Sequence, residues 1–351
     1  MTDLARLLAA RIAQTGPMTL ADYMAECLLH PRFGYYSTAE PFGEAGDFTT
    51  APEISQMFGE LIGLSLAQCW IDQGRPHGTL AELGPGRGTL MADVLRATRN
   101  IPGFHAAMDI VLMEASPKLR AQQRKTLGTA KVSWIDQIDQ LPDTPLFLIA
   151  NEFFDALPIR QFTKDGTAWR ETVVGLADGK LVPGATVAAP IAALEHRLFD
   201  VPQGGVVEIC PAAIPIAATI GRQISTHGGA ALIFDYGGWR SLGDTFQAMA
   251  AHAYADPFAA PGTADLTAHV DFEALAQAAR PALSSFATQG AVLEQLGISI
   301  RAEALARKLS GPALQSHQAA LRRLTDPAEM GSLFKGLALY HPSTAPPPGF
   351  A

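Results

Sequence analysis

The chain has 351 residues, of which 48% are hydrophobic and 17% charged, and its formal net charge is −8. This composition is typical of a folded globular protein and argues against a surface that binds nucleic acid or anionic membranes. No apolar run reaches the ~18 residues of a transmembrane helix. The three cysteines support neither a disulfide framework nor a zinc site.

Residues 1–75 are predicted to form an N-terminal helical region with one long break. Its first stretch, MTDLARLLAARIAQTG, has apolar residues at helical spacing. Asp3 and the lack of a serine-rich stretch favour a folded helix over a transit peptide, so a cytoplasmic location is expected. The break contains Asp47 and Thr49, for which a lid over a ligand pocket and an ordinary turn remain equally open. One helix is then predicted from Glu53 to Gln73.

The stretch TLAELGPGRGTLMADVLR predicts a strand, a glycine turn and a helix in succession. The turn contains Gly84, Gly86 and Gly88, and Thr89 is the candidate N-cap of the helix. Glycines let a ligand approach the backbone, and a helix N-terminus presents free N–H groups, so the unit suits a nucleotide. Glu82 precedes the first glycine by two residues, and the third glycine comes one residue earlier than in the dinucleotide fingerprint.

This E-x-G-x-G-x-G form resembles motif I of the S-adenosylmethionine (SAM) methyltransferases. SAM carries a sulfonium and an amino-acid tail, which suit a nearby carboxylate, whereas an ordinary turn is the alternative interpretation. The second predicted strand, Asp109 to Glu114, ends in an acid directly before Ser116 and Pro117, which are typical of a helix start. In a Rossmann-like sheet that acid contacts the ribose hydroxyls; a solvent-exposed glutamate is the alternative.

Strand 3 is predicted over Lys131 to Trp134, with Asp136 beyond its end as a further cofactor-binding candidate. Strand 4 is predicted to end at residue 150 and to continue directly into NEFFDALP. Ligands of open α/β sheets bind outside the carboxyl ends of strands, so Glu152 and Asp155 are predicted to be catalytic. Asn151 is predicted to orient a carboxylate or to contact the cofactor. A solvated turn is the alternative, although two adjacent phenylalanines fit it poorly.

Two insertions are predicted in the second half of the chain. Residues 159–209 contain two Asp-Gly turn signals and are interpreted as a β-hairpin insertion. Residues 241–281 contain a polar cluster whose Asp and His spacing matches no standard metal site, so no metal is expected. Strand 5 and the polar cluster each supply one further catalytic candidate, Asp235 and His269. Strands 6 and 7 are predicted over 282–288 and 334–340.

With these residues in place, the chain resembles the MidA-like methyltransferases, whose mitochondrial members assist complex I assembly. The matching segments span nearly the whole length and are GDFTTAPEIS, ELGPGRGT, NEFFDALP, DYG, ADLTAHVDF and MGSLFK. The resemblance implies SAM as cofactor and symmetric dimethylation of an arginine in a complex I core subunit. Many members carry an arginine in the segment after strand 5, and this chain departs from that pattern, because it has Gln247 and its neighbours there.

The sequence thus predicts an α/β fold: a Rossmann-like seven-strand class I methyltransferase sheet in residues 76–351, with an N-terminal helical region and central insertions. Glu152 and Asp155 would hold the acceptor guanidinium, since carboxylates pair with it strongly. A protein substrate is the expected partner, and a homodimer is left open. The alternatives are methylation of a small molecule, a SAM-binding assembly chaperone without turnover and, more weakly, a nucleotide-binding oxidoreductase.

Overall fold

The structure is a computed structural model that describes residues 2–38, 50–250 and 253–350. The chain divides into two units. The first unit comprises Met1–Phe48, Asp155–Ile214 and Gly238–Asp271, and the second comprises Thr49–Phe154, Pro215–Gly237 and Phe272–Ala351. The boundary expected between residues 75 and 76 does not coincide with this division and remains a prediction.

The second unit is built on a mixed β-sheet. Its strands, in chain order, are β1 (Gly78–Leu83), β2 (Met108–Met113), β3 (Val132–Ile135), β4 (Leu146–Asn151), β5 (Gly229–Gly238), β6 (Leu283–Thr288) and β7 (Phe334–Tyr340). They lie in the order β6-β7-β5-β4-β1-β2-β3. Neighbours from β5 to β3 are parallel, whereas β7 is antiparallel to both β5 and β6. The predicted α/β class and Rossmann-like sheet are confirmed.

Every residue of β1 and β4 is buried, as expected for central strands of a parallel sheet that is covered on both faces. The α-helices that accompany the sheet are Ala51–Ile54, Gln56–Asp72, Thr89–Thr98, Phe104–Ala107, Pro117–Leu127, Ala213–His227, Phe272–Ala278, Gln289–Gln295, Ile298–Ala306, Gly311–Thr325 and Met330–Leu333. Apolar side chains join these helices to the sheet; Phe58, for example, packs edge-on against Phe234 of β5 at 5.3 Å between ring centroids.

The single helix expected from Glu53 to Gln73 is wrong, because the structure has two helices that meet at Ser55. Ser55 is extended, with φ of −159°, and its hydroxyl accepts the N–H of Met57 at 3.2 Å. Serine caps helices well because its side chain replaces a missing backbone acceptor. The break gives the short helix Ala51–Ile54 a direction of its own.

The first unit combines N-terminal helices with small antiparallel sheets. Its α-helices are Asp3–Thr15, Leu20–Leu29 and Tyr35–Thr38, and its strands are Met18–Thr19, Arg160–Asp165, Ala168–Ala177, Lys180–Ala185, Val206–Ile209, Gln247–Ala250, Ala253–Ala255, Asp265–Thr267 and Val270–Asp271. Both predicted Asp-Gly turns join antiparallel strands, with Gly166 and Gly179 at φ of +63° and +73°. The hairpin interpretation of this segment is therefore confirmed.

None of the helices in the described ranges is long and apolar enough to cross a membrane.

Candidate cofactor and catalytic site

The glycine turn after β1 needs glycine at each of its three glycine positions. Gly84, Gly86 and Gly88 have φ of +61°, +50° and +82°, a region that other residues adopt only with strain. Gly88 is also the N-cap of the following helix, so the expected capping role of Thr89 is wrong. The Thr89 hydroxyl instead donates to Glu53 Oε1 at 2.6 Å, which joins the short helix Ala51–Ile54 to this turn.

Glu82, near the end of β1, is a buried carboxyl group with one open acceptor. Its side chain is 3% exposed and accepts the N–H of Met91. Its Oε2 atom has no hydrogen-bond partner among the described residues. Burial raises the pKa of Glu82 to about 8, since removal from water disfavours the charged form.

Asn151, the last residue of β4, presents a second open acceptor beside Glu82. Glu82 pairs with Ile149 across the parallel strands, and side chains alternate along a strand, so Glu82 and Asn151 lie on the same face of the sheet. Asn151 Oδ1 is buried and, within the part of the chain that the structure describes, has no partner. Unmet buried acceptors are costly and are normally satisfied, and a ligand that brings donors would satisfy this pair. The α-ammonium group of SAM has three N–H donors and fits this pair.

Glu114, directly after β2, belongs to a second polar group beside the glycine turn. Its Oε1 accepts the N–H of Ser116 at 2.8 Å, and its Oε2 accepts Gln123 Nε2 at 3.2 Å. Burial raises the pKa of this carboxyl above its ordinary value, against the hydrogen bonds that lower it. Gln123 Nε2 also donates to the carbonyl of Gly86 at 2.8 Å, and its Oε1 accepts the indole N–H of Trp134 at 2.7 Å.

Gln123 was not predicted as a site residue, although its spacing from neighbouring leucines indicates a buried position. It lies four residues from both Leu119 and Leu127, so the three share one face of the helix Pro117–Leu127. A glutamine on the apolar face of an otherwise polar helix is a candidate for a buried hydrogen-bonding role.

Asp136, just past β3, is bound by the chain itself. Its exposed carboxylate accepts Arg120 Nη2 at 2.7 Å, and the same guanidinium donates to the carbonyls of Glu114 and Ile135. Arg120 thereby fastens the ends of β2 and β3 together. A cofactor contact from Asp136 remains a prediction.

Glu152 follows β4 in an unusual backbone conformation. It has φ of +51°, one of the few positive values outside glycine among the described residues. Its Oε1 accepts the backbone N–H of Ala51 and Asn151 Nδ2, both at 3.0 Å. A strained residue held by several contacts is characteristic of functional sites. The next residue, Phe153, packs on the glycine turn, because a Cβ added at Gly84 would lie 2.9 Å from its ring.

Asp235 lies in β5, the strand next to β4, and fixes the turn that carries Glu152. Its fully buried carboxylate accepts the N–H of Phe154 through Oδ2 and the N–H of Tyr236 through Oδ1, both at 3.0 Å. These bonds hold the turn, so the geometry supports a positioning role more directly than the catalytic role expected from the sequence. That catalytic role remains a prediction.

The other two catalytic candidates belong to the first unit. Asp155 is buried and its carbonyl accepts the N–H of Ala268 at 3.0 Å. His269 donates its N–H to the Thr245 hydroxyl at 2.8 Å. The pairing of Asp155 with Glu152 is untested and remains a prediction.

Two cofactor candidates, Asp47 and Thr49, lie outside the described residues. Within the described ranges, no group of three or more His, Cys, Asp or Glu side chains is arranged to hold a metal ion.

Comparison with known proteins agrees with this geometry. A family model with the description "Putative S-adenosyl-L-methionine-dependent methyltransferase" matches residues 61–292. The mitochondrial protein arginine methyltransferase NDUFAF7 of Xenopus tropicalis is 38% identical over 93% of this chain and 83% of its own length. The Homo sapiens protein of the same name is 37% identical over 97% of this chain and 83% of its own length.

A solved structure extends the likeness to the whole fold. A protein from Burkholderia thailandensis, bound to S-adenosyl-homocysteine (SAH), is 31% identical, with a TM-score of 0.84 over 99% of this chain and 94% of that one. At this identity and coverage the likeness concerns both units.

The cytoplasmic location expected from the sequence is wrong, because the curated relatives are mitochondrial proteins. The first helix does fold, with Leu4, Leu8 and Ile12 buried, but a packed helix carries no information about the compartment in which a protein works.

The family model covers more than half of the chain, and the curated relatives match it over nearly its full length at more than 30% identity. The open acceptors at the ends of β1 and β4 fit the cofactor of that family. The chain therefore belongs to this family of SAM-dependent methyltransferases.

Proposed function

We propose that this methyltransferase modifies the guanidinium group of an arginine in a protein, forms symmetric dimethylarginine, and acts on a subunit of respiratory complex I. The names of the curated relatives support a protein arginine as acceptor. The resemblance to the MidA-like methyltransferases supports the complex I subunit. The single observation in the structure that carries the proposal is the strained Glu152 at the carboxyl end of β4, whose carboxylate accepts hydrogen bonds from Ala51 and Asn151.

In this proposal, several residues of the second unit bind the cofactor, and one residue, Glu152, contacts the acceptor. Glu82 and Asn151 receive the ammonium of the amino-acid tail. Glu114 accepts hydrogen bonds from the ribose hydroxyls, and the glycine turn admits the ligand to the backbone. SAM, when bound, supplies a methyl group whose carbon is strongly electrophilic, because it is bonded to a positively charged sulfur.

Glu152 prepares the acceptor nitrogen. A protonated guanidinium is a poor nucleophile, because its electron pairs are delocalised over three nitrogens. A carboxylate that binds it localises the positive charge away from one nitrogen, orients that nitrogen for in-line displacement and accepts its proton. The hydrogen bonds from Ala51 and Asn151 hold the carboxylate in place, so little reorganisation is needed during the reaction.

The substitution Glu152→Gln tests this role, because it keeps the shape of the side chain and removes its charge. Turnover should fall by about 10²-fold or more, whereas the Kd for SAM should stay within about threefold. The assay follows transfer of labelled methyl from SAM to complex I subunits taken from a strain that lacks this methyltransferase, with mass spectrometry of the modified arginine.

Glu171→Gln is the matched control. Glu171 is a glutamate of the first unit that accepts two hydrogen bonds from Arg160, at 2.7 and 2.6 Å, so its substitution should affect stability and leave turnover unchanged. Near-normal turnover by Glu152→Gln would contradict the catalytic role. Label on a small molecule, or SAM binding with no transfer at all, would contradict the protein arginine as acceptor.

A further inference from the structure

Gln123 is a buried side chain beside the glycine turn, and both atoms of its amide group make hydrogen bonds. Its side chain is 0% exposed, and three of its hydrogen bonds reach three separate elements. Its amide nitrogen donates to the Gly86 carbonyl at 2.8 Å and to Glu114 Oε2 at 3.2 Å, while its oxygen accepts the Trp134 indole N–H at 2.7 Å. It therefore connects the turn after β1, the acid after β2 and the strand β3.

Packing adds to these hydrogen bonds. A Cβ placed on Gly88 would lie 3.4 Å from the Gln123 Cγ atom, so the side chain lies directly against the turn. Trp134 has a second contact, since the Arg124 guanidinium lies over its ring at 4.5 Å from the centroid. The amide of Gln123 thus has little freedom to leave its position.

The chemistry of an amide suits this position. Both acceptors, a carbonyl oxygen and a carboxylate oxygen, need donors from the same direction, and the NH₂ group of glutamine supplies two. A carboxylate in its place would repel Glu114, and an apolar side chain would leave the Gly86 carbonyl and Glu114 each without one donor. The amide therefore sets both the turn and the direction of the Glu114 carboxylate.

We propose that Gln123 is a positioning residue for the adenosine half of SAM. Its hydrogen bonds fix the Glu114 carboxylate relative to the glycine turn. The inference rests on the proposed ribose contact of Glu114. It implies that the adenosine half is recognised by a preassembled pair of groups, so that loss of the link weakens every adenosine-containing ligand alike.

The substitution Gln123→Met tests the proposal, because methionine has a similar volume and no N–H donor. Titration calorimetry should show the Kd for SAH and for SAM each rising by about tenfold. The melting temperature without ligand is measured on the same samples. A lower melting temperature with an unchanged Kd for SAH would mean that Gln123 serves only the core and would overturn the proposal.

Gln223→Met is the matched control. Gln223 is also buried, and its Nε2 also donates to two carbonyls, those of Pro142 at 2.6 Å and Thr144 at 3.0 Å. Both partners precede β4, at the opposite edge of the sheet from the glycine turn. Gln223→Met should lower the melting temperature and leave the Kd for SAH unchanged; an equal loss of affinity in both variants would overturn the proposal.

A second variant, Gln123→Glu, is tested by the pH dependence of its SAH affinity. A residue with a purely structural role would leave that pH dependence unchanged. Two neighbouring carboxylates disfavour joint ionisation, so Glu114 and the new acid should share a proton as the pH is lowered. The charged groups nearby are Arg120, which donates to the Glu114 carbonyl and pairs with Asp136, and Arg124, which lies over the Trp134 ring. Relative to the unsubstituted protein, SAH affinity should recover as the pH is lowered, since the protonated acid regains one donor. A ratio independent of pH would count against the proposal.

The variant Glu114→Ala separates this proposal from the one on which it rests. If Glu114→Ala keeps its affinity for SAH, the ribose contact is wrong whatever Gln123 does. If Glu114→Ala loses affinity and Gln123→Met does not, the ribose contact stands and the positioning role fails.

Discussion

Glu82 in the second unit and Glu208 in the first are both buried glutamates whose pKa is raised by burial, yet their surroundings differ. Glu208 Oε1 accepts Gln161 Nε2 at 3.0 Å and the N–H of Thr245 at 2.9 Å, and its Oε2 accepts the Thr245 hydroxyl. Glu82 accepts the N–H of Met91, but its Oε2 has no hydrogen-bond partner in the described ranges.

This difference distinguishes a carboxyl group that the chain itself satisfies from one with room for a donor from a ligand. Glu208 needs no further donor, because the first unit supplies donors to both of its oxygens. A buried acid with an open oxygen carries a cost that folding alone does not remove. Burial and a shifted pKa do not distinguish the two, so the unmet oxygen is the more informative observation.

The largest effect on cofactor binding is expected from Glu114→Ala, which removes the proposed ribose contact. Loss of a hydrogen bond to a charged group is worth about 1.5–3 kcal/mol, so the Kd for SAH and for SAM should rise roughly 10- to 100-fold. Equilibrium binding of both ligands checks this, with the melting temperature as a control for folding. Normal binding of both ligands without turnover would show that Glu114 has a different role.

The sequence predicted the glycine turn and the strand ends well, because their signals are local. Three closely spaced glycines require a turn, and an acid at the end of an apolar run predicts where a strand stops. Glu82 and Glu114 were identified in this way, and so was Asn151 at the end of β4. The roles proposed for them rest on a general rule, since strand ends of a parallel sheet meet at one edge and ligands bind there.

Features that depend on distant partners could not be predicted in this way. Asp235 is separated from the N–H of Phe154 by 81 residues, so a strand-end acid that holds a neighbouring turn looks the same as a catalytic one. The hydroxyl of Thr89 serves Glu53, 36 residues earlier, because Gly88 already caps the helix. The open oxygen of Glu82 is likewise a property of its surroundings in the fold.

A pair of substitutions sharpens the comparison between the two glutamates. Glu208→Gln replaces one acceptor oxygen with an NH₂ group, which cannot accept the hydrogen bonds that Gln161 or Thr245 donates there. The free energy of unfolding should therefore fall by about 1–3 kcal/mol, with SAH affinity unchanged. Glu82→Gln keeps an acceptor for Met91 and breaks no other bond shown by the described residues, so it should affect stability little and weaken SAH severalfold. Chemical denaturation and SAH titration of both variants check these results. The same loss of stability in both would remove the distinction.

The most direct test of the proposed contact between Glu82 and the cofactor is the number of protons released when SAH binds. The pKa of Glu82 is about 8 without ligand, so the group is mostly protonated at pH 7. The ligand ammonium favours the carboxylate and lowers that pKa, so binding releases a proton and becomes tighter as the pH rises toward 8. Calorimetry at pH 7 in two buffers of different ionisation enthalpy should show release of a large fraction of one proton, lost in Glu82→Gln. No release, or equal release by the variant, would contradict the assignment of the open acceptor on Glu82 to the cofactor.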